Sequence, residues 1–177
     1  MDESKYNRIE YERRFLVEPN SDWRSCVEPY SKVLEDKYLR GTRLRLRRLT
    51  DSDSGRQVFK LTKKEVSDSP YFGTISRILL SEAEYEIFAR LDGDEIRKTR
   101  YYHHYKNRVF SIDVFEGELA GLVLCETEAE SLEDLMRAEP PPYSRIEVTE
   151  DGFFTGGNLC RTSNEELLNK LQKLGAA

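Results

Sequence analysis

The sequence predicts an α+β protein: about eight antiparallel strands interrupted by two or three helices. Three observations carry that expectation. Extended segments with two-residue alternation recur along the chain, each setting one apolar face against one polar face. Several of those polar faces carry rows of one charge sign, cationic on some strands and Glu-x-Glu on others. Two stretches, Ser81-Glu82-Ala83-Glu84 and Ser163-Asn164-Glu165-Glu166, match capping boxes that open helices.

In chain order, residues 9–17 alternate so that Glu10, Glu12 and Arg14 share one face, opposite Ile9, Tyr11, Arg13 and Phe15. Residues 22–31 read as a short helix or loop around Trp23, and 32–39 as extended. Residues 43–49 place Arg43, Arg45 and Arg47 opposite Leu44 and Leu46. Residues 57–64 repeat that parity, with Lys60, Thr62 and Lys64 opposite Phe59 and Leu61, so the two strands form a hairpin with a shared basic face. A loop over 66–73 leads to a strand over 74–80 carrying Arg77, then a helix from Ser81 to about Leu91, stopped by Asp92-Gly93-Asp94. Strands follow over 96–105 (Lys98 and Arg100), 108–115 (Asp113) and 122–129 (Glu126 and Glu128). His103 and His104 point to opposite faces and read as ordinary strand residues. A short helix after Ser131 is stopped by Pro140-Pro141-Pro142; a short strand over 145–149 and a helix from Ser163 to about Leu174 complete the chain.

Composition narrows the class. The 177 residues suit one domain with a real core, at 38% hydrophobic and 34% charged residues. A formal net charge of -5 argues against a general nucleic-acid binder. Three cysteines, Cys26, Cys125 and Cys160, lack metal-ligand spacing and read as reduced thiols. No apolar run approaches the ~18 residues of a membrane helix, and Met1-Asp2-Glu3-Ser4 is not a signal peptide, so a soluble cytoplasmic protein is expected.

Like charges facing each other across strands are destabilising unless something of opposite sign binds between them. If the sheet closes into a barrel, alternation turns every charged row onto the inner wall. Glu10, Glu12, Asp113, Glu126 and Glu128 are then hard oxygen ligands suited to Mg²⁺ or Mn²⁺. Arg45, Arg47, Lys60, Lys64, Arg77 and Arg100 are then a phosphate-binding surface, with Lys98 in the same row.

These residues resemble the CYTH family, the triphosphate tunnel metalloenzymes. Glu10-Tyr11-Glu12-Arg13-Arg14 matches its N-terminal Glu-x-Glu-x-Lys strand with Arg14 in the lysine place, and Arg45-Leu46-Arg47 its Arg-x-Arg strand. Thr62-Lys63-Lys64, Lys98-Thr99-Arg100, Asp113 with Glu126-Thr127-Glu128, and Glu147-Val148-Thr149-Glu150-Asp151 follow in family order, over about residues 9–158. The resemblance implies a closed eight-stranded antiparallel β-barrel, a tunnel with a polar charged lumen and flanking helices. It also implies two-metal-type hydrolysis of a linear triphosphate, with inorganic tripolyphosphate the first substrate expected. Arg14 and Lys98 are the catalytic cations so expected, and Mg²⁺ or Mn²⁺ the cofactor. Ile78, Leu79 and Leu80 follow Arg77 where triphosphatase-like members carry Glu. Two alternatives remain beside the hydrolase: a class IV-type adenylate cyclase, and a non-catalytic polyphosphate-binding module. The expected partner is a small-molecule triphosphate, with no nucleic acid and no membrane, on a monomer or homodimer.

Overall fold

The computed structural model describes residues 7–65 and 67–176. The expectations at Met1–Ser4 and at Val66, the first residue of the second loop, lie outside these residues. Nine strands form one sheet: β1 (Asn7–Val17), β2 (Ser31–Leu39), β3 (Leu44–Asp51), β4 (Gln57–Lys64), β5 (Phe72–Leu80), β6 (Gly93–Tyr105), β7 (Arg108–Phe115), β8 (Val123–Ala129) and β9 (Ser144–Glu147). The spatial order is β5-β4-β3-β2-β6-β7-β8-β1-β9, and a further β5–β1 pairing closes β1 to β8 into an eight-stranded antiparallel barrel. Closure leaves those strands without a free edge.

β1 is the seam. Along one edge it pairs with β8 from Tyr11 to Leu16. Along the other, β5 takes Asn7 to Tyr11 and β9 takes Phe15 to Val17. The chain therefore returns, through β9, to the end of the barrel where β1 finishes.

Apolar outer faces are covered as alternation requires. Helix α1 (Glu82–Ala89) starts at the Ser81–Glu84 capping box and lays Tyr85 and Phe88 over Leu39, Leu46 and Leu61. A 3-10 turn (Trp23–Cys26) and Tyr143 cover Phe15, Phe110, Ile112 and Cys125. His103 Nδ1 lies 2.8 Å from Tyr143 Oη on this outer wall. Helix α2 (Leu132–Met136) follows β8, capped by Ser131. All three cysteines are free thiols.

The C-terminal segment does something alternation did not reveal. A 3-10 turn (Gly152–Phe154) and helices α3 (Gly156–Leu159) and α4 (Asn164–Lys173) pack Phe154, Leu159, Leu167 and Leu171 against Leu16, Ile96, Phe115 and Leu124. Those last four side chains share parity with the charged rows on β1, β6, β7 and β8, so the inner wall turns apolar at this end. A Cβ on Gly156 would sit 1.9 Å from Tyr38 Oη; only glycine lets α3 begin this close to β2.

Some boundaries differ from the sequence reading. β6 begins at Gly93, inside the expected 92–94 turn, because Lys37, Tyr38 and Leu39 of β2 pair with Glu95, Asp94 and Gly93. The last strand spans Ser144–Glu147 instead of 145–149, and α3 was not foreseen. Arg43 lies one residue before β3 and turns to Glu65 at 2.6 Å, leaving Arg45 and Arg47 as the inward row.

Candidate functional site: a charged lumen

Cross-strand register determines which side chains share the lumen. Arg14 lies opposite Glu126, and Glu12 opposite Glu128. Arg100 faces Asp113, Arg47 faces Lys60, and Thr62 is flanked by Arg45 and Arg77. Residues directly opposite share a face, and Glu10, Lys64 and Lys98 stand two places from Glu12, Thr62 and Arg100 on theirs. The barrel therefore brings Glu10, Glu12, Arg14, Arg45, Arg47, Lys60, Lys64, Arg77, Lys98, Arg100, Asp113, Glu126 and Glu128 onto one inner wall.

Ion pairs run around that wall. Lys98 and Arg100 both close on the fully buried Asp113, with Arg100 Nε 2.6 Å from Oδ1. Arg100 reaches on to Glu126 at 2.9 Å, and Glu126 meets Arg14 at 3.3 Å. Arg14 meets Glu12 at 2.6 Å, and Glu12 meets Lys64 at 3.1 Å. Glu10 meets Arg77 at 3.3 Å. On β2 and β3, both arms of Arg47 close on Asp36, Nη2 at 2.5 Å from Oδ2, with Arg45 at 4.0 Å. Asp36 is the lumen residue that sequence reasoning missed. The available signal was an acid in phase with Lys32 and Leu34, obscured by Glu35 beside it.

Charge and burial set the ionisation of these groups. Burial pushes the Glu12 carboxyl up, but Arg14 and Lys64 overcome it and hold it at about 2. Asp36 behaves alike: burial opposes ionisation, and Arg47 with Arg45 holds it at about 2. Asp113 lies far below the usual carboxylate range, Arg100 and Lys98 outweighing its burial. Glu128 moves the other way, pushed up by desolvation and by the carboxylates of Glu10, Glu12 and Glu126. Lys60 is pushed down by desolvation and by Arg77, Arg47, Lys32 and Arg45. The lumen therefore has two poles: carboxylates crowded along β1 and β8, cations crowded around Lys60.

The carboxylate pole fits a hard divalent cation in donor chemistry. Four glutamates stand on two adjacent strands, and Glu128 is destabilised as an anion by its neighbours. Their oxygens are not gathered around a common point: among the described residues no three His, Cys, Asp or Glu side chains are placed to hold an ion. Glu10, Glu12 and Glu126 are turned to Arg77, Arg14, Lys64 and Arg100 instead. Asp113, expected among the ligands, is engaged by Lys98 and Arg100.

Sequence comparison is consistent with this wall. The chain is 30% identical over 148 residues to an inorganic triphosphatase of Nitrosomonas europaea, spanning 80% of this chain and 90% of that protein. It belongs to the CYTH family of triphosphate tunnel metalloenzymes. The crystal structure of the inorganic triphosphatase NE1496 superposes with a TM-score of 0.56 at 26% identity, over 86% of this chain and 95% of its own. The PH1819 protein from Pyrococcus horikoshii OT3 shares the fold, with a TM-score of 0.52 at 19% identity over 95% and 91% of the two chains. No family model matches the sequence. No helix among the described residues is long and apolar enough to cross a membrane.

Proposed function

We propose that this CYTH chain hydrolyses a short linear triphosphate, inorganic tripolyphosphate first, in a reaction dependent on Mg²⁺ or Mn²⁺. The observation that carries the reading is Lys60. Lys60 lies directly opposite Arg47, with Arg45 and Arg77 flanking Thr62 two places along the same face; burial and the charges of Arg77, Arg47, Lys32 and Arg45 push its ammonium down, a repulsion that a polyanion in the lumen would relieve. A relative 30% identical to this chain is an inorganic triphosphatase, which supports the same substrate class.

The chain's own residues have distinct tasks in this reading. Arg45, Arg47, Lys60 and Arg77 hold phosphate oxygens. When water adds to the terminal phosphorus and its bond to the bridging oxygen breaks, the same cations stabilise the charge gathering on the leaving diphosphate. A bound Mg²⁺ or Mn²⁺ at the carboxylate pole would neutralise phosphate charge and acidify water. Arg14 cannot accept a proton and stays a fixed cation between Glu12 and Glu126. Lys98, tied to Asp113, orients that carboxylate and with it Arg100.

A second reading, an organic triphosphate such as ATP turned over as in a cyclase, is favoured by one feature. Tyr30 and Tyr102 stack at 5.3 Å, with the Lys32 ammonium 5.4 Å from the Tyr102 ring, a surface on which a base can lie. Product analysis with tripolyphosphate and with ATP, in Mg²⁺, Mn²⁺ and chelator, separates the readings. Orthophosphate release that the chelator abolishes is expected. Cyclic AMP from ATP would move the assignment to the cyclase, and saturable binding without any product would leave a binding module.

A further inference from the structure

We propose that the Thr62 hydroxyl is a phosphate-binding donor within the cationic pole, and that with Nε of Arg45 it fixes one phosphoryl oxygen of the bound chain. The inference rests on the reading of the lumen as a triphosphate site and adds a neutral residue to its cations.

Thr62 lies on the inward face of β4, with Lys60 and Lys64 two places to either side of it. Across the strands it stands directly opposite Arg45 on β3 and Arg77 on β5. One short hydroxyl is therefore ringed by four long cations. Lysine and arginine side chains carry donors and no acceptor. The Thr62 oxygen can receive a hydrogen bond from that ring, but the ring offers its own proton nowhere to go.

Two atoms here are buried and unpaired. Thr62 is 4% exposed, and among the described residues its Oγ1 has no hydrogen-bond partner. Nε of Arg45, on the residue directly opposite, is buried without a partner as well. Asp36 stands 4.0 Å from it, beyond bonding distance. An unmade hydrogen bond at a buried polar atom is costly, and a side chain of the same shape without the hydroxyl would avoid that cost. Both atoms are donors, and one acceptor reaching the wall between them satisfies both. The carboxylates of the lumen are engaged elsewhere: Glu12 by Arg14 and Lys64, Glu10 by Arg77, and Asp36 by both arms of Arg47. The acceptor therefore comes from a ligand, and a phosphoryl oxygen has the charge and the lone pairs that the ring requires. The Lys64 and Arg77 side chains are 54% and 36% exposed, so they can turn aside and admit it. The cations attract phosphate over a distance; the hydroxyl adds a short directional bond that holds one oxygen in one place.

Calorimetric titration of tripolyphosphate in the presence of a chelator, on the wild type, Thr62→Val and Thr62→Ser, tests this beside a thermal melt of each protein. Thr62→Val keeps the branched shape and removes the unpaired hydroxyl, so its ligand-free melting temperature should be unchanged or raised. The same variant should bind tripolyphosphate about tenfold more weakly, whereas Thr62→Ser, which keeps the hydroxyl, should bind within about threefold of the wild type. Undiminished affinity in Thr62→Val would overturn the proposal. A lower ligand-free melting temperature with the same loss of affinity in both variants would also overturn it, because the residue would then be structural. A wild type that binds no tripolyphosphate would sink the reading of the lumen together with the inference. A wild type that binds and hydrolyses it, beside a Thr62→Val that binds equally well, would sink the Thr62 assignment alone.

Discussion

Asp36 accepts both arms of the Arg47 guanidinium across β2 and β3, and with its side chain 2% exposed it is sealed from water by that contact. The pair sets Arg47 toward the lumen with one geometry, and Arg45 lies at 4.0 Å from the same carboxylate. Removing one partner of a buried pair leaves the other charge uncompensated. Asp36→Asn should therefore cost about 3 kcal/mol in unfolding free energy. Urea unfolding of the two proteins at neutral pH measures it; an unchanged midpoint would mean that Arg47 is satisfied elsewhere.

Lys60 has the opposite character. It is pressed by cations, so Lys60→Met should leave the ligand-free melting temperature unchanged or raised. The same variant should weaken tripolyphosphate binding about tenfold, since one charge-assisted contact is worth roughly 1.5 kcal/mol or more. Calorimetric titration beside a thermal melt reads both quantities. A fall in melting temperature with intact affinity would reassign Lys60 to structure.

Acid should unfold the protein through its lumen. The folded-state pKa values of Glu12 and Asp36, both about 2, lie below their ordinary values of 4.5 and 3.8. A depressed carboxylate contributes stability that is complete above its unfolded pKa and is lost as pH falls toward the folded one. Melting temperature should hold near pH 6 and fall steadily from about pH 4.5 toward pH 2.5. Asp36→Asn should flatten part of that fall. A wild-type profile flat over this range would contradict the ion-pair account.

Much of this was legible in the sequence, because a period of two is a local signal. Alternation alone put Glu10 and Glu12, Arg45 and Arg47, Lys60 and Lys64, Lys98 and Arg100 on shared faces, and the barrel turned them all inward. What failed depended on contacts distant in sequence. Asp36 reads as one acid beside Glu35 until β3 shows which of the two meets Arg47. Leu16, Ile96, Phe115 and Leu124 share parity with the charged rows, yet they meet α3 and α4, so the lumen changes from polar to apolar along its length. Lys60, unlike Arg45 beside Asp36, is pushed down by its burial and by the cations around it.

Gly156 tests that apolar end. Its missing Cβ leaves room for Tyr38, whose hydroxyl lies beside Arg45. Gly156→Ala should destabilise the fold by about 1–3 kcal/mol through overpacking. Gly156→Ala with Tyr38→Phe, which removes the hydroxyl that a Cβ would strike, should recover part of that loss in the same denaturation assay. No recovery would place the strain elsewhere in α3.

The most direct test of the two-pole lumen is a 31P NMR time course of tripolyphosphate with Mn²⁺-free Mg²⁺, run on the wild type and on Glu128→Gln, with affinity measured alongside. The wild type should convert tripolyphosphate to diphosphate and orthophosphate. Glu128→Gln should lose turnover by about a thousandfold, the scale of removing an electrostatic group from a reacting centre, while binding tripolyphosphate within about tenfold of the wild type. Undiminished turnover in Glu128→Gln, or no conversion by the wild type, would contradict the assignment of the carboxylate pole to catalysis.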